Sequence, residues 1–112
     1  MDGLVPGRCV YYVMGDQDAV AINRRRTTGQ SIAARLATDP PSWPAGAQAH
    51  IGNAVTAGDI LPATVIRIWG SDSGCSNLRV HLDGNDDYWA TSRTYNQNKV
   101  PATWHWPDRP FV

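Results

Sequence analysis

The chain has 112 residues, enough for one domain that buries roughly two thirds of its unfolded surface. A hydrophobic share of 42% supports a core and excludes global disorder, and a formal net charge of zero disfavours a nucleic-acid polymer, whose binders carry a basic excess. No apolar run approaches the roughly 20 residues that span a bilayer, and Met1–Arg8 lacks the apolar stretch of a signal peptide, so no membrane partner is expected.

The charged set is narrow in kind. Nine of the ten basic residues are Arg, and all ten acidic residues are Asp. Arginine is favoured where two parallel hydrogen bonds grip a carboxylate or phosphate, although a GC-rich genome biases composition the same way. Five Trp is a high number for this length, enough for some to form core and others a stacking surface. Cys9 and Cys75 make neither a disulfide framework nor a Cys-x-x-Cys pair, so two free thiols are expected.

Residues 1–7 carry glycine and proline and read as a loose lead-in to a single domain over residues 8–112. Arg8–Met14 is β-branched and aromatic and predicts a first strand. Gly15-Asp16 breaks it. Asp16 is expected to cap a helix from Gln17 to about Arg26, with Asp18 in the first turn and arginines in the last, where the dipole favours each charge. Thr27 or Thr28 then caps a second short helix from Gly29 to about Ala37, or the two merge into one helix weakened at Gly29. Residues from about 16 to 38 thus form a helical insertion, with Val20, Ile22, Ile32 and Leu36 as buried positions. Prolines at 40, 41 and 44 end it.

From Gly46 the texture changes to short strands and turns. Ala47–Ile51 reads as a short strand, and Pro62–Trp69 carries the clearest strand signal. Leu78–Leu82 alternates, with Leu78, Val80 and Leu82 on one face. Asp87–Ser92 returns after a hairpin turn at Asp83–Asp86, and Thr103–Trp106 makes a last short strand before Pro107. Five to six short strands with tight hairpins predict an α+β domain built on a small, twisted SH3-like β-barrel, with the helical insertion after the first strand. A packed helix-on-sheet α+β domain is the alternative.

Several stretches are candidates for chemistry. Arg24-Arg25-Arg26-Thr27-Thr28 sets guanidinium groups beside helix-end N–H groups, which suits an anion; a solvated, capped helix end is the bland alternative. If Ile66 pairs with Val80, Arg67 lies opposite Arg79, a like-charge pair that a bound anion or a nearby aspartate would relieve. Two solvated arginines packing their stems on Trp69 would account for the same residues. Asp83–Asp87 clusters three carboxylates, but the spacing is short for calcium and reads as a turn. In Trp104-His105-Trp106 an extended backbone puts both indoles on one face, either as a stacking platform or as a strand that plugs the barrel end. Trp89 and Tyr95 carry the same ambiguity. His50, His81 and His105 form no recognisable zinc spacing, and no nucleophile elbow, Walker loop or dinucleotide fingerprint occurs. No catalytic residue, cofactor or metal is therefore expected, although a Ser/His/Asp arrangement in space stays open.

The strings Ala21–Gly29 (AINRRRTTG), Gly46–Asn53 (GAQAHIGN), Leu82–Ser92 (LDGNDDYWATS) and Thr103–Pro107 (TWHWP) resemble small, functionally unassigned proteins of tailed phages and prophages. The likeness runs from Arg8 to Asp108. It implies the host cytoplasm as the setting, where phages use small binding proteins to capture nucleotide immune signals. The expected function is a non-enzymatic protein that sequesters a nucleotide-derived anionic small molecule, of the cyclic nucleotide or cyclic ADP-ribose type. Arg24, Arg25, Arg26, Thr27 and Thr28 would hold phosphates, and Trp89, Trp104 or Trp106 would stack a base. Arg67, Arg79, Arg93 and Asn53 are secondary candidates, and a homo-oligomer would build the pocket across a two-fold interface. The alternative is a protein-interaction module, either a virion accessory protein or an inhibitor that docks on a host protein. A small nucleotide hydrolase is the third reading.

Overall fold

The computed structural model describes residues 2–27 and 50–107. Period-2 patterning sets the main element. Strands β1 (Cys9–Val13), β4 (Ile60–Gly70), β5 (Cys75–His81), β6 (Asp87–Arg93) and β7 (Trp104–His105) form one antiparallel sheet in the order β6-β5-β4-β1-β7. Val10 pairs with Ala63 and Ala63 with Val80, while Val65 pairs with Leu78 and Leu78 with Ala90. These rows, with Tyr12 and Trp104, are buried on one face and make the core. The alternation of Leu78, Val80 and Leu82 places all three inward as expected.

The helix α1 (Asp16–Arg25) crosses this inner face and sends Ile22 and Ala19 into the core. Its first intrahelical bond runs from Ala19 N–H to the Gly15 carbonyl at 3.0 Å, so Gly15, and not Asp16, is the capping residue. Close packing explains the choice. A Cβ at Gly15 would stand 3.1 Å from Ala102 Cβ and 3.2 Å from Asp18 Oδ2. Val20, expected to be buried with Ile22, is exposed, because positions two apart on a helix do not share a face.

The chain leaves α1 as strand β2 (Arg26–Thr27), which pairs in parallel with β3 (His50–Ile51). A single helix continuing through Gly29 is thereby excluded. The expected second helix at Gly29–Ala37, the prolines at 40, 41 and 44, and Ala47–Ala49 lie outside the described residues. The lead-in is held down: Leu4 is buried in the core, and Gly7 N–H donates to the Val65 carbonyl at 2.6 Å.

Three departures from regular pairing shape the outer face. In β4 one extra residue, Ile66, sits between the pairs Val65–Leu78 and Arg67–Asn77, and another, Trp69, between Ile68–Ser76 and Gly70–Cys75. The expected pairing of Ile66 with Val80 does not occur: Val80 faces Ala63, Arg79 faces Thr64, and Arg67 faces Asn77. The hairpin closes at Gly70–Cys75, and that turn together with the two bulges shifts the register. The like-charge pair therefore never forms. In β6 a third bulge lies between Ala90 and Arg93, where Ser92 adopts a left-handed φ of 54°.

The described residues thus make a mainly β α+β domain with one five-stranded antiparallel sheet, a two-stranded parallel pair and one short helix. After β6, Trp104 N–H donates to the Thr94 carbonyl at 3.0 Å and Asn96 N–H to the Trp104 carbonyl at 2.9 Å. This is a single bridge, Tyr95 to Trp104, and not a ladder, so the sheet does not close.

Candidate functional site

Two polar constellations stand out, one on each face of the sheet. The inner one is centred on Asp18, only 1% exposed at the start of α1. Its carboxylate accepts from the Tyr12 hydroxyl, the Tyr88 hydroxyl at 2.8 Å, Arg93 Nη2 at 2.7 Å and the Gly15 N–H at 3.1 Å. The Gly15 contact is the return half of a capping box. The grip of Arg93 is end-on; its buried Nε has no acceptor among the described residues. Arg93 also lies over the Tyr12 ring at 5.8 Å. Burial, and then the hydrogen bond to Asp18, pushes the ionisation of both Tyr12 and Tyr88 above the ordinary tyrosine value. The hub ties α1, β1 and β6 together.

The outer face is different. Trp69 is 54% exposed and Trp89 58% exposed, and both line an open groove of about 470 Å³ with Ile66, Arg67, Asn77, Thr91 and Ser92. The Arg67 guanidinium stacks on the Trp69 ring at 4.1 Å. Trp69 is itself held, since its indole N–H donates to Asn77 Oδ1 at 3.0 Å, and the same oxygen accepts Ser92 N–H at 2.8 Å. Arg79 stands directly across from Trp89 on β6 and Thr64 on β4, and is exposed. Further along this face Thr64 Oγ1 lies 2.8 Å from His81 Nε2, and His81 Nδ1 lies 3.6 Å from Asp87 Oδ1.

The candidate residues separate accordingly. Arg67, Arg79 and Trp89 share the outer face, where Arg67 and Trp89 line the groove and Arg79 pairs with Trp89 from the neighbouring strand. Arg93 does not join them, because the left-handed turn at Ser92 breaks the alternation and sends its side chain inward to Asp18. Trp104 offers no ring face to a ligand: it is wholly buried, packs edge-on to Trp106 at 5.0 Å, and donates its indole N–H to the Gly74 carbonyl at 2.8 Å. It acts as the closing strand of the core. Trp106 is half-buried beneath the Arg8 guanidinium at 5.4 Å. Asn53 is occupied by Asp83, to which its side-chain amide donates at 2.6 Å. That contact ties the Asp83–Asp87 turn to the residues after β3, and no group of three or more metal-ligating side chains occurs among the described residues. Arg24 is exposed on α1, on the inner side of the sheet and so across it from Trp69 and Trp89. Arg25 ends that helix, Arg26 and Thr27 form β2, and Thr28 lies outside the described residues.

Sequence reasoning missed Asp18 as a hub, Trp69 as an exposed ring of the groove and the Thr64–His81–Asp87 line. A signal existed for the first, since an acid three residues after a capping glycine marks a capping box. The others depend on register, which local patterning does not reveal. No family model matches the chain, and no curated protein and no solved structure matches it either.

Proposed function

We propose that the protein is a phage or prophage binding protein of the host cytoplasm that takes a nucleotide-derived anionic small molecule on the outer face of its sheet. The observation that carries this reading is the groove in which two half-exposed tryptophans stand beside Arg67, with Arg79 across from Trp89 on the neighbouring strand. Leaving large aromatic rings in water is unfavourable, and an exposed aromatic patch of this kind marks a binding surface. A base stacked on Trp89 gains roughly 1–3 kcal/mol. Arg79, one strand away, and Arg67 then reach phosphate oxygens with paired donors. On this reading the five-stranded sheet is an SH3-like barrel opened at one seam, and a second copy related by a two-fold axis would cover the open side of the groove.

Calorimetric titration with a panel of cyclic nucleotides and cyclic ADP-ribose isomers tests the reading. Binding with one of them, lost in Trp89→Ala and Arg79→Ala, supports it. No heat with any of them at micromolar protein removes it. One observation favours the second reading, a protein-interaction module: Ile66 is 44% exposed within the same open groove, and an aliphatic–Trp–Arg surface also suits a protein partner. A stoichiometric protein captured from host lysate, with no co-purifying nucleotide, would select that reading.

A further inference from the structure

We infer that Thr64, His81 and Asp87 form a hydroxyl-nucleophile site for activated short-chain esters with a flat aromatic leaving group. This goes beyond the binding reading and does not rest on it. The three residues lie on adjacent strands β4, β5 and β6 of the outer face, so the sheet holds their spacing. His81 pairs directly with Asp87, while Thr64 pairs with Arg79 and Arg79 with Trp89. The Asp87 carboxylate at 3.6 Å from Nδ1 favours the imidazole tautomer that carries its proton there. Nε2 is then the acceptor for the Thr64 hydroxyl at 2.8 Å. Nucleophile, base and orienting acid stand in that order, the relation that defines an activated hydroxyl. The 3.6 Å separation is looser than a hydrogen bond, as resting sites often are before substrate tightens them.

The neighbouring residues supply the other parts. Arg79, directly across from Thr64, offers guanidinium donors where charge develops on a carbonyl oxygen. Trp89, next along the same row and 58% exposed, offers a platform for an aromatic leaving group. In the first half-reaction Thr64 Oγ bonds to the ester carbonyl carbon, its proton passes to His81 Nε2, and the carbonyl electron pair moves to an oxyanion facing Arg79. Collapse restores the carbonyl and breaks the bond to the aryl oxygen, which leaves as the phenol with the proton from His81. In the second half-reaction water adds to the acyl-Thr64 ester, giving its proton to His81. Thr64 oxygen then departs and recovers that proton, so one ester and one water yield one acid and one phenol.

The test uses the full chain with p-nitrophenyl acetate, following nitrophenol release and locating acetyl groups by peptide mass mapping. The expected result is a single acetyl group on Thr64, with release falling at least about tenfold in Thr64→Val and His81→Gln, consistent with a general-base contribution of that order or more. Thr64→Ser retains the activity. Undiminished release in Thr64→Val, or acetyl found on His81, Lys99 or the N-terminus but not on Thr64, overturns the proposal. His81 lies on the surface, so His81→Gln keeps the test decisive if Thr64→Val fails to fold: acetylation of Thr64 at the parental rate in that variant overturns it equally.

Discussion

Replacing Asp18 by alanine should be among the most damaging single changes in the described structure. The carboxylate is 1% exposed and accepts from four donors, so alanine leaves the Arg93 guanidinium, two tyrosine hydroxyls and the capping N–H without their acceptor. Breaking a buried ion pair by removing one partner costs about 3–5 kcal/mol. Each stranded neutral donor adds up to about 1–3 kcal/mol, but water entering the gap and the partial exposure of Arg93 offset part of that sum. A net loss of about 4 kcal/mol is the working figure. For a domain of this length an unfolding entropy of about 2.1 cal/mol/K per residue converts that to a fall of about 17 °C in melting temperature. Urea unfolding followed by circular dichroism measures the loss, and the double change with Arg93→Ala should recover about 2 kcal/mol as a coupling term. A loss below about 1 kcal/mol, the level of an exposed ion pair, would refute the claim that Asp18 is a buried hub.

Three further outcomes are expected from the geometry. The raised ionisation of Tyr12 and Tyr88 means that the unfolded chain ionises first as pH rises through about 10. Their contribution is therefore complete below that pH and is lost above it, and melting temperature should fall on the alkaline side, less so in Tyr88→Phe; a flat profile there would contradict the cause given. Trp104→Ala should cost about 3–5 kcal/mol, because it empties the centre of the core, whereas Trp89→Ala should change stability by no more than about 0.5 kcal/mol; denaturant midpoints of the two variants separate core ring from surface ring. Gly15→Ala should destabilise by about 1–3 kcal/mol, since its Cβ would press on Ala102 and Asp18, and an unchanged midpoint would show that the helix start has room to shift.

Some of the architecture was legible in residue order because local physics decides it. Leu78 and Val80 alternate with polar neighbours, and an alternating segment has one way to bury its apolar side, while Val10 and Tyr12 lie in a β-branched and aromatic run. The chain from Asp16 to Arg25 is legible as helix for the same local reasons of acids first and arginines last. Register was not legible. The extra residue at Ile66 and the left-handed Ser92 each shift the remainder of their strand by one position, and neither has a distinctive sequence mark. Arg67 was expected opposite Arg79 and stands opposite Asn77, while Arg93 was expected among ligand-facing arginines and points to Asp18.

The amino-acid order by itself therefore determined which segments of the described chain extend and which coils. Tertiary structure decided which side chains share a face. Trp104 and Trp89 are the same residue type in strands of one sheet, yet one is wholly buried and the other more than half exposed. Side-chain direction in a sheet changes with a shift of one residue, and that shift is set by bulges and turns whose energies depend on the packed partner strand rather than on the strand itself. The line from Thr64 through His81 to Asp87 has the same origin, since only pairing across three strands brings a hydroxyl, an imidazole and a carboxylate from distant positions into one row.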